Sequence, residues 1–251
     1  MKNQTYLSVI IPCYNESENI QRGVLDEVET YLQKQKFSWE VIISDDGSTD
    51  GSWDLVEKFI DKNSKFIHLN NKHGGKPSAV RSGIEKAKGE WVLFTDMDQA
   101  TPINQLDKLL PYFGKDDIVI GSRGMTRKNF PIYRKLASFV FLNFRRLLLL
   151  SNIKDTQCGF KAFKREIALK LFPKLEFFRK QNQISGWKVS AYDVELLFLA
   201  EKNGYIIAEV PVVWEDTDIS KGKQRSFIKE SKEMLFEIIR VRLNDLKGKY
   251  D

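Results

Sequence analysis

Residues 39–52, WEVIISDDGSTDGS, decide the fold. The first six, WEVIIS, are dominated by apolar and β-branched side chains, the composition of a strand buried in a sheet. Next, Asp45-Asp46-Gly47-Ser48-Thr49-Asp50-Gly51-Ser52 is turn chemistry that also supplies a helix start, and residues 52–60 then take up helical spacing. The same unit recurs on either side. Upstream, residues 7–11 (LSVII) read as a strand. Asn15-Glu16-Ser17-Glu18 then opens a helix with acids at its positive end and Ile20, Val24, Leu25, Val28 and Leu32 on one face. Downstream, residues 66–69, 91–95 (WVLFT) and 117–120 read as strands, with helices over 78–87 and 103–113. This alternation predicts an α/β fold with a mainly parallel central sheet flanked by helices. Sheets of that kind bind ligands at the carboxyl ends of their strands.

The 251 residues, 42% of them hydrophobic, suffice for one domain with a buried core, so disorder, collagen and coiled coil are excluded. With no repeat, low-complexity tract or dividing linker, residues 1–251 read as a single domain. Its parts are a ligand-binding half to about 121, a second half over about 122–226, and a C-terminal amphipathic helix over about 227–251. Net charge is +6, and residues 123–165 hold eleven basic side chains against one acid, Asp155, leaving −4 for the remainder. An anion is the expected partner of that basic segment. Cys13 and Cys158 stand too far apart in sequence for a disulfide framework or metal spacing, which favours a reduced, cytoplasmic compartment. The N-terminal apolar run ends at Pro12, too short for a signal peptide, and no apolar stretch reaches the ~20 residues of a membrane span.

Two of the strand ends in the first half carry paired acids. Asp96-Met97-Asp98-Gln99 follows WVLFT, and the two-residue spacing lets one loop aim two carboxylates at one divalent cation, the arrangement that Mg²⁺ or Mn²⁺ shares with substrate phosphates. Taken alone, Asp-x-Asp after a strand is equally ordinary turn chemistry. Combination with Asp45, Asp46 and the intervening His73-Gly74-Gly75-Lys76-Pro77-Ser78-Ala79-Val80-Arg81, which offers flexible backbone and cations, makes a nucleotide-diphosphate pocket.

LSVIIPCYNESENI, VIISDDGSTDGS, GGKPSAVRSGI, FTDMDQATP and IVIGSR, in this order, resemble the family-2 inverting glycosyltransferases, which have a nucleotide-sugar-binding GT-A-type fold. DTQCGFK from Asp155, YDVELL from Tyr192 and EVPVVW from Glu209 are similar to the dolichyl-phosphate β-glucosyltransferase branch, near the polyprenyl-phosphate mannose synthases. The resemblance spans about residues 7–227. It implies that Asp46 or the adjacent Asp45 binds the nucleoside end of the donor, with Pro12, Glu16 and Met97 lining it. It further implies that Asp96 and Asp98 hold the metal with Gln99 as an outer ligand, and that Lys76 and Arg81 hold the nucleotide. Relatives commonly carry Gly-Lys-Gly where this chain has Gly75-Lys76-Pro77, and place a Trp nearer the acid than Trp187 lies to Asp193.

Inverting transfer is a single displacement at the anomeric carbon. A hydroxyl acceptor needs a carboxylate base, for which Asp155 is the candidate. A lipid phosphate is already anionic and needs cations instead. Arg123 and Arg134 match the acceptor-phosphate arginines of the mannose synthases, with Ser138 nearby, and guanidinium grips phosphate as a fork. Beyond them, eleven of residues 136–150 are apolar, with Arg145 and Arg146 among them: either a buried helix or one dipping into a lipid interface. The loop Ser220-Lys221-Gly222-Lys223-Gln224-Arg225 reads as a lid on the diphosphate or a solvated loop. The implied activity is transfer of glucose from UDP-glucose to a polyprenyl phosphate at the cytoplasmic membrane face. Mannose from GDP-mannose, a saccharide or protein hydroxyl acceptor, and a non-catalytic nucleotide-sugar-binding subunit are the alternatives. Attachment to the membrane through the domain surface or a membrane-protein partner, and self-association through the last helix, stay open. Nucleic acid is not an expected partner.

Overall fold

A computed structural model describes residues 5–123, 148–150, 153–179, 192–215 and 227–250, with side chains of the last helix from residue 235. Seven strands form one sheet: β1 (Leu7–Cys13), β2 (Trp39–Asp45), β3 (Phe66–Asn70), β4 (Trp91–Phe94), β5 (Ile118–Ser122), β6 (Lys161–Lys164) and β7 (Ile207–Pro211). Their spatial order is β3-β2-β1-β4-β6-β5-β7. All neighbours are parallel except β6, which runs antiparallel to both β4 and β5. Leu7 pairs with Trp39 on one side and Trp91 on the other. After β1 the chain therefore winds outward through β2 and β3 and returns across β1 to β4. That reversal puts a crevice at the carboxyl ends of β1 and β4.

The strand side chains alternate between two cores. Ile10, Ile42, Val92, Phe94 and Phe163 face one side with α4 (Lys76–Lys86), α6 (Arg165–Leu171), α8 (Tyr192–Lys202) and α9 (Phe227–Leu246). Leu7, Val9, Ile11, Val41, Ile43 and Leu93 face the other, with α1 (Ser17–Gln21), α2 (Val24–Gln33), α3 (Ser52–Ile60) and α5 (Leu106–Leu109). α7 (Glu176–Arg179) follows α6 after a 3-10 turn. At Gly83 a β-carbon would come within 2.5 Å of Ile10 Cγ2, so α4 lies directly on β1.

The single helix expected from Asn15 onward is two, because Gly23 adopts φ 91° and turns the chain between α1 and α2. The one expected over 103–113 is reduced to four residues between 3-10 turns; Pro111 lies in the second of these. Arg134, Ser138, residues 136–147, Trp187 and the 220–225 loop lie outside the described residues. Among the described residues, no helix is long and apolar enough to cross a membrane.

Candidate active site

The β1 and β2 loops are laced together at the crevice. Asn15, at φ 54°, donates its backbone N–H to Ser48 Oγ and accepts from Thr49 N–H, 3.0 and 2.8 Å respectively. Glu16 N–H donates to Ser52 Oγ at 2.8 Å, and the buried Glu16 carboxylate accepts from Asn19. Pro12, in β1, is buried opposite Ser44, and Met97 is buried in the second core. Neither therefore offers a polar side chain.

Asp45 and Asp46 are also fully buried, and both organise loops. Asp45 Oδ1 accepts from Gly47 and Ser48 N–H at 2.8 Å, while its Oδ2 is buried without a partner. Asp46 accepts from Gly74 and Gly75 N–H at 2.8 Å and from His73 Nδ1 at 2.9 Å. Burial raises the Asp46 carboxyl, and these bonds only partly offset it. His73 in turn stacks on Tyr14, ring centroids 4.6 Å apart. The glycine loop, read as flexible backbone with cations, spends the Gly74 and Gly75 amides on Asp46. Pro77, in the first turn of α4, has none to give and is well placed there. What the loop delivers is the Lys76 ammonium, bonded to Asp96. Burial works against that charge, but Asp96 and then Asp193 outweigh it and raise the Lys76 pKa. Arg81 is turned away from this group: it pairs with Glu85 at 2.8 Å and lies 4.7 Å over the Phe178 ring of α7.

β4 ends in the acids. Asp96 packs on Gly159, where a side-chain carbon would collide with its carboxylate. Asp98 Oδ1 accepts from Ala100 N–H at 2.9 Å, and Gln99 holds φ 50°. Left-handed backbone at a non-glycine residue costs energy that the surroundings must supply, and such positions gather at functional sites. The Gln99 amide nitrogen donates to Thr95 and to the Asp96 carbonyl, leaving its Oε1 buried without a partner. Asp96, Asp98 and this orphaned oxygen are an all-oxygen donor set that fits a hard divalent cation. Among the described residues no three acids, histidines or cysteines could hold a metal by themselves, so ligand oxygens would complete the shell.

Across the floor lie two further pairs. Lys161, at the start of β6 and almost wholly buried, donates to the Cys158 carbonyl and, at 2.7 Å, to Asp193 at the start of α8. In the sequence Asp193 and Lys161 stand only inside the YDVELL and DTQCGFK motifs, neither with a role of its own. What marks Lys161 is its burial, because a lysine is rarely buried without a partner. Arg123 grips Asp155 by two bonds, Nε at 2.7 Å and NH2 at 2.8 Å, and lies over the Trp214 ring. Glu209 fixes the same loop by accepting from Lys154 and Asp155 N–H. Burial would raise the Asp155 carboxyl, but Arg123 outweighs it and holds it well below the usual carboxylate range. A carboxylate held ionised in this way is a weak proton acceptor, which disfavours the role of base that a hydroxyl acceptor would ask of Asp155. Cys158 is fully buried and its thiol is pushed up by burial.

A mainly parallel sheet with an acid pair beyond the crossover strand and cations around it is a site suited to a metal-bound anionic ligand. Residues 8–172 match the model of Glycosyl transferase family 2. The chain is 37% identical to dolichyl-phosphate beta-glucosyltransferase of Dictyostelium discoideum, covering 97% of this chain and 76% of that one. It is 33% identical to the Homo sapiens protein of the same name, covering 96% and 76%. In fold it is similar to mannosyl-3-phosphoglycerate synthase from Rubrobacter xylanophilus, with a TM-score of 0.65 at 15% identity over 98% of this chain and 75% of that one. Similar too is glucosyl-3-phosphoglycerate synthase from Mycobacterium tuberculosis in complex with Mn²⁺ and UDP-glucose, at TM-score 0.60, 17% identity, and 95% and 79% coverage. The chain belongs to glycosyltransferase family 2 and is a hexosyltransferase.

Proposed function

We propose that the enzyme transfers glucose from UDP-glucose to a polyprenyl phosphate at a membrane surface, with inversion. The observation that carries this is the pairing of the described acids around the floor with cations: Asp96 with Lys76, Asp193 with Lys161 and Asp155 with Arg123. Such a site suits an acceptor that brings its own anionic oxygen, since each of these three carboxylates is already engaged by a cation and is poorly placed to take the proton of a hydroxyl acceptor. The names of the relatives support the same acceptor and sugar.

In the reaction an acceptor phosphate oxygen forms a bond to the anomeric carbon as the bond from that carbon to the diphosphate breaks, and UDP leaves with the added charge. Lys76 faces the diphosphate side and Arg123 the acceptor side, the latter with Arg134 and Ser138 as the resemblance implies. A Mg²⁺ or Mn²⁺ ion held by Asp96, Asp98 and Gln99 would neutralise charge on the departing diphosphate. The test is a panel: UDP-glucose or GDP-mannose, with polyprenyl phosphate or soluble saccharides, each with Mg²⁺, Mn²⁺ or EDTA. Metal-dependent labelling of the lipid from UDP-glucose is expected. Labelling of only a soluble sugar, or of lipid only from GDP-mannose, refutes the corresponding half.

A further inference from the structure

Behind α8, away from Lys161, lies a buried polar network that the transfer itself does not use. Glu195 is fully buried. Its carboxylate accepts from the backbone N–H of Glu176 at 2.9 Å, the Tyr250 hydroxyl at 2.7 Å and Arg240 NH2 at 3.1 Å. Arg240 also donates to Glu176 at 2.6 Å and to Glu237, and Asn244 donates to Glu176. Arg240, Asn244 and Tyr250 all belong to α9 or the residues just after it. A carboxylate taken out of water costs several kcal/mol unless its hydrogen bonds are replaced, and here the replacements come from outside α8.

Asp193 and Glu195 are two residues apart, so on a helix they point about 200° from one another. The first turn of α8 is therefore held from opposite sides, by Lys161 at the active-site floor and by α9 behind. Asp193 reaches further than Lys161, since its charge also acts on Lys76 and on Arg123. A turn free to roll or withdraw would shift one carboxylate relative to three cations.

We propose that α9 is a positioning element for the transfer: Tyr250 and Arg240, acting through Glu195, hold the first turn of α8 so that Asp193 stays on Lys161. This rests on the site being the transfer centre described above. The test is a double-mutant cycle with Tyr250→Phe and Asp193→Asn, read as kcat and donor KM separately, and repeated with Glu195→Gln in place of Tyr250→Phe in case one variant folds poorly. Tyr250→Phe is expected to lower kcat roughly fivefold with donor KM within about twofold. In the Asp193→Asn background it should lower kcat no further, because the group it positions is already lost. Independent losses that multiply, or an unchanged kcat with a lowered melting temperature, would show a merely structural network and overturn the proposal. Wild-type enzyme that releases no nucleotide diphosphate under any condition would instead remove the transfer reading, and this inference with it.

Discussion

Gly159 is where a single methyl group separates the site from the packing around it. Its missing side chain is the space in which the Asp96 carboxylate sits. Gly159→Ala should weaken UDP binding in the presence of Mn²⁺ by tenfold or more in a calorimetric titration, with little change in melting temperature. An equal loss without metal would place the damage elsewhere. Asp155 makes a different prediction. Its folded pKa is depressed, so its contribution to stability is present above the unfolded carboxyl pKa of about 4 and disappears as pH falls through the lower folded value. The stability gap between wild type and Asp155→Asn, from urea unfolding, should be constant from neutral pH to about pH 4 and narrow below it. In transfer, Asp155→Asn should retain more activity than Arg123→Ala; the reverse ranking would mark Asp155 as a base. At this scale the Asp96 and Asp98 pair was legible as a candidate only in combination with Asp45, Asp46 and the glycine loop, since acids after a strand alone are ordinary turn chemistry. It could not show that Asp46 turns inward to the Gly74 and Gly75 amides, since the same residue suits a ligand or a loop.

The elements legible from sequence were those with clear periodicity, α3, α4 and α9 among them. β6 was not, because KAFK is only four residues with lysine at each end, and its apolar centre has no alternation to read. Yet β6 runs antiparallel between β4 and β5 and thereby brings Cys158, Gly159 and Lys161 under the acids of β4. The departure from Gly-Lys-Gly at Pro77 likewise resolves at this scale, since the first turn of a helix is where a missing N–H costs least. The close packing of α4 on β1 gives the corresponding prediction. Gly83→Ala should destabilise the fold by about 1–3 kcal/mol through overpacking against Ile10, measured by denaturant unfolding. A neutral result would mean that Ile10 has room to move.

For the whole molecule, the modest charge of +6 conceals a division between a −4 remainder, which holds the metal-seeking acids, and the +10 run beginning at Arg123. A second asymmetry was partly legible in the sequence. α9 is anchored on one face by Ile238 and Val241, while Phe236, Ile239, Leu243 and Leu246 form an exposed apolar stripe, continued by exposed Lys247 and Lys249. Apolar side chains beside cations suit an anionic lipid surface, where the proposed acceptor resides. Flotation with vesicles containing anionic lipid should therefore exceed flotation with neutral ones and fall for Phe236→Asp with Leu246→Asp, and equal recovery in all cases would remove the lipid contact from this helix. The chemistry itself is tested most directly by the linkage it makes. Enzyme, Mn²⁺, UDP-α-glucose and a polyprenyl phosphate should give a product whose ¹H and ³¹P NMR spectra show a β-configured glucosyl phosphodiester. An α linkage, or glucose on a hydroxyl oxygen instead of phosphate, would contradict inverting transfer to a lipid phosphate.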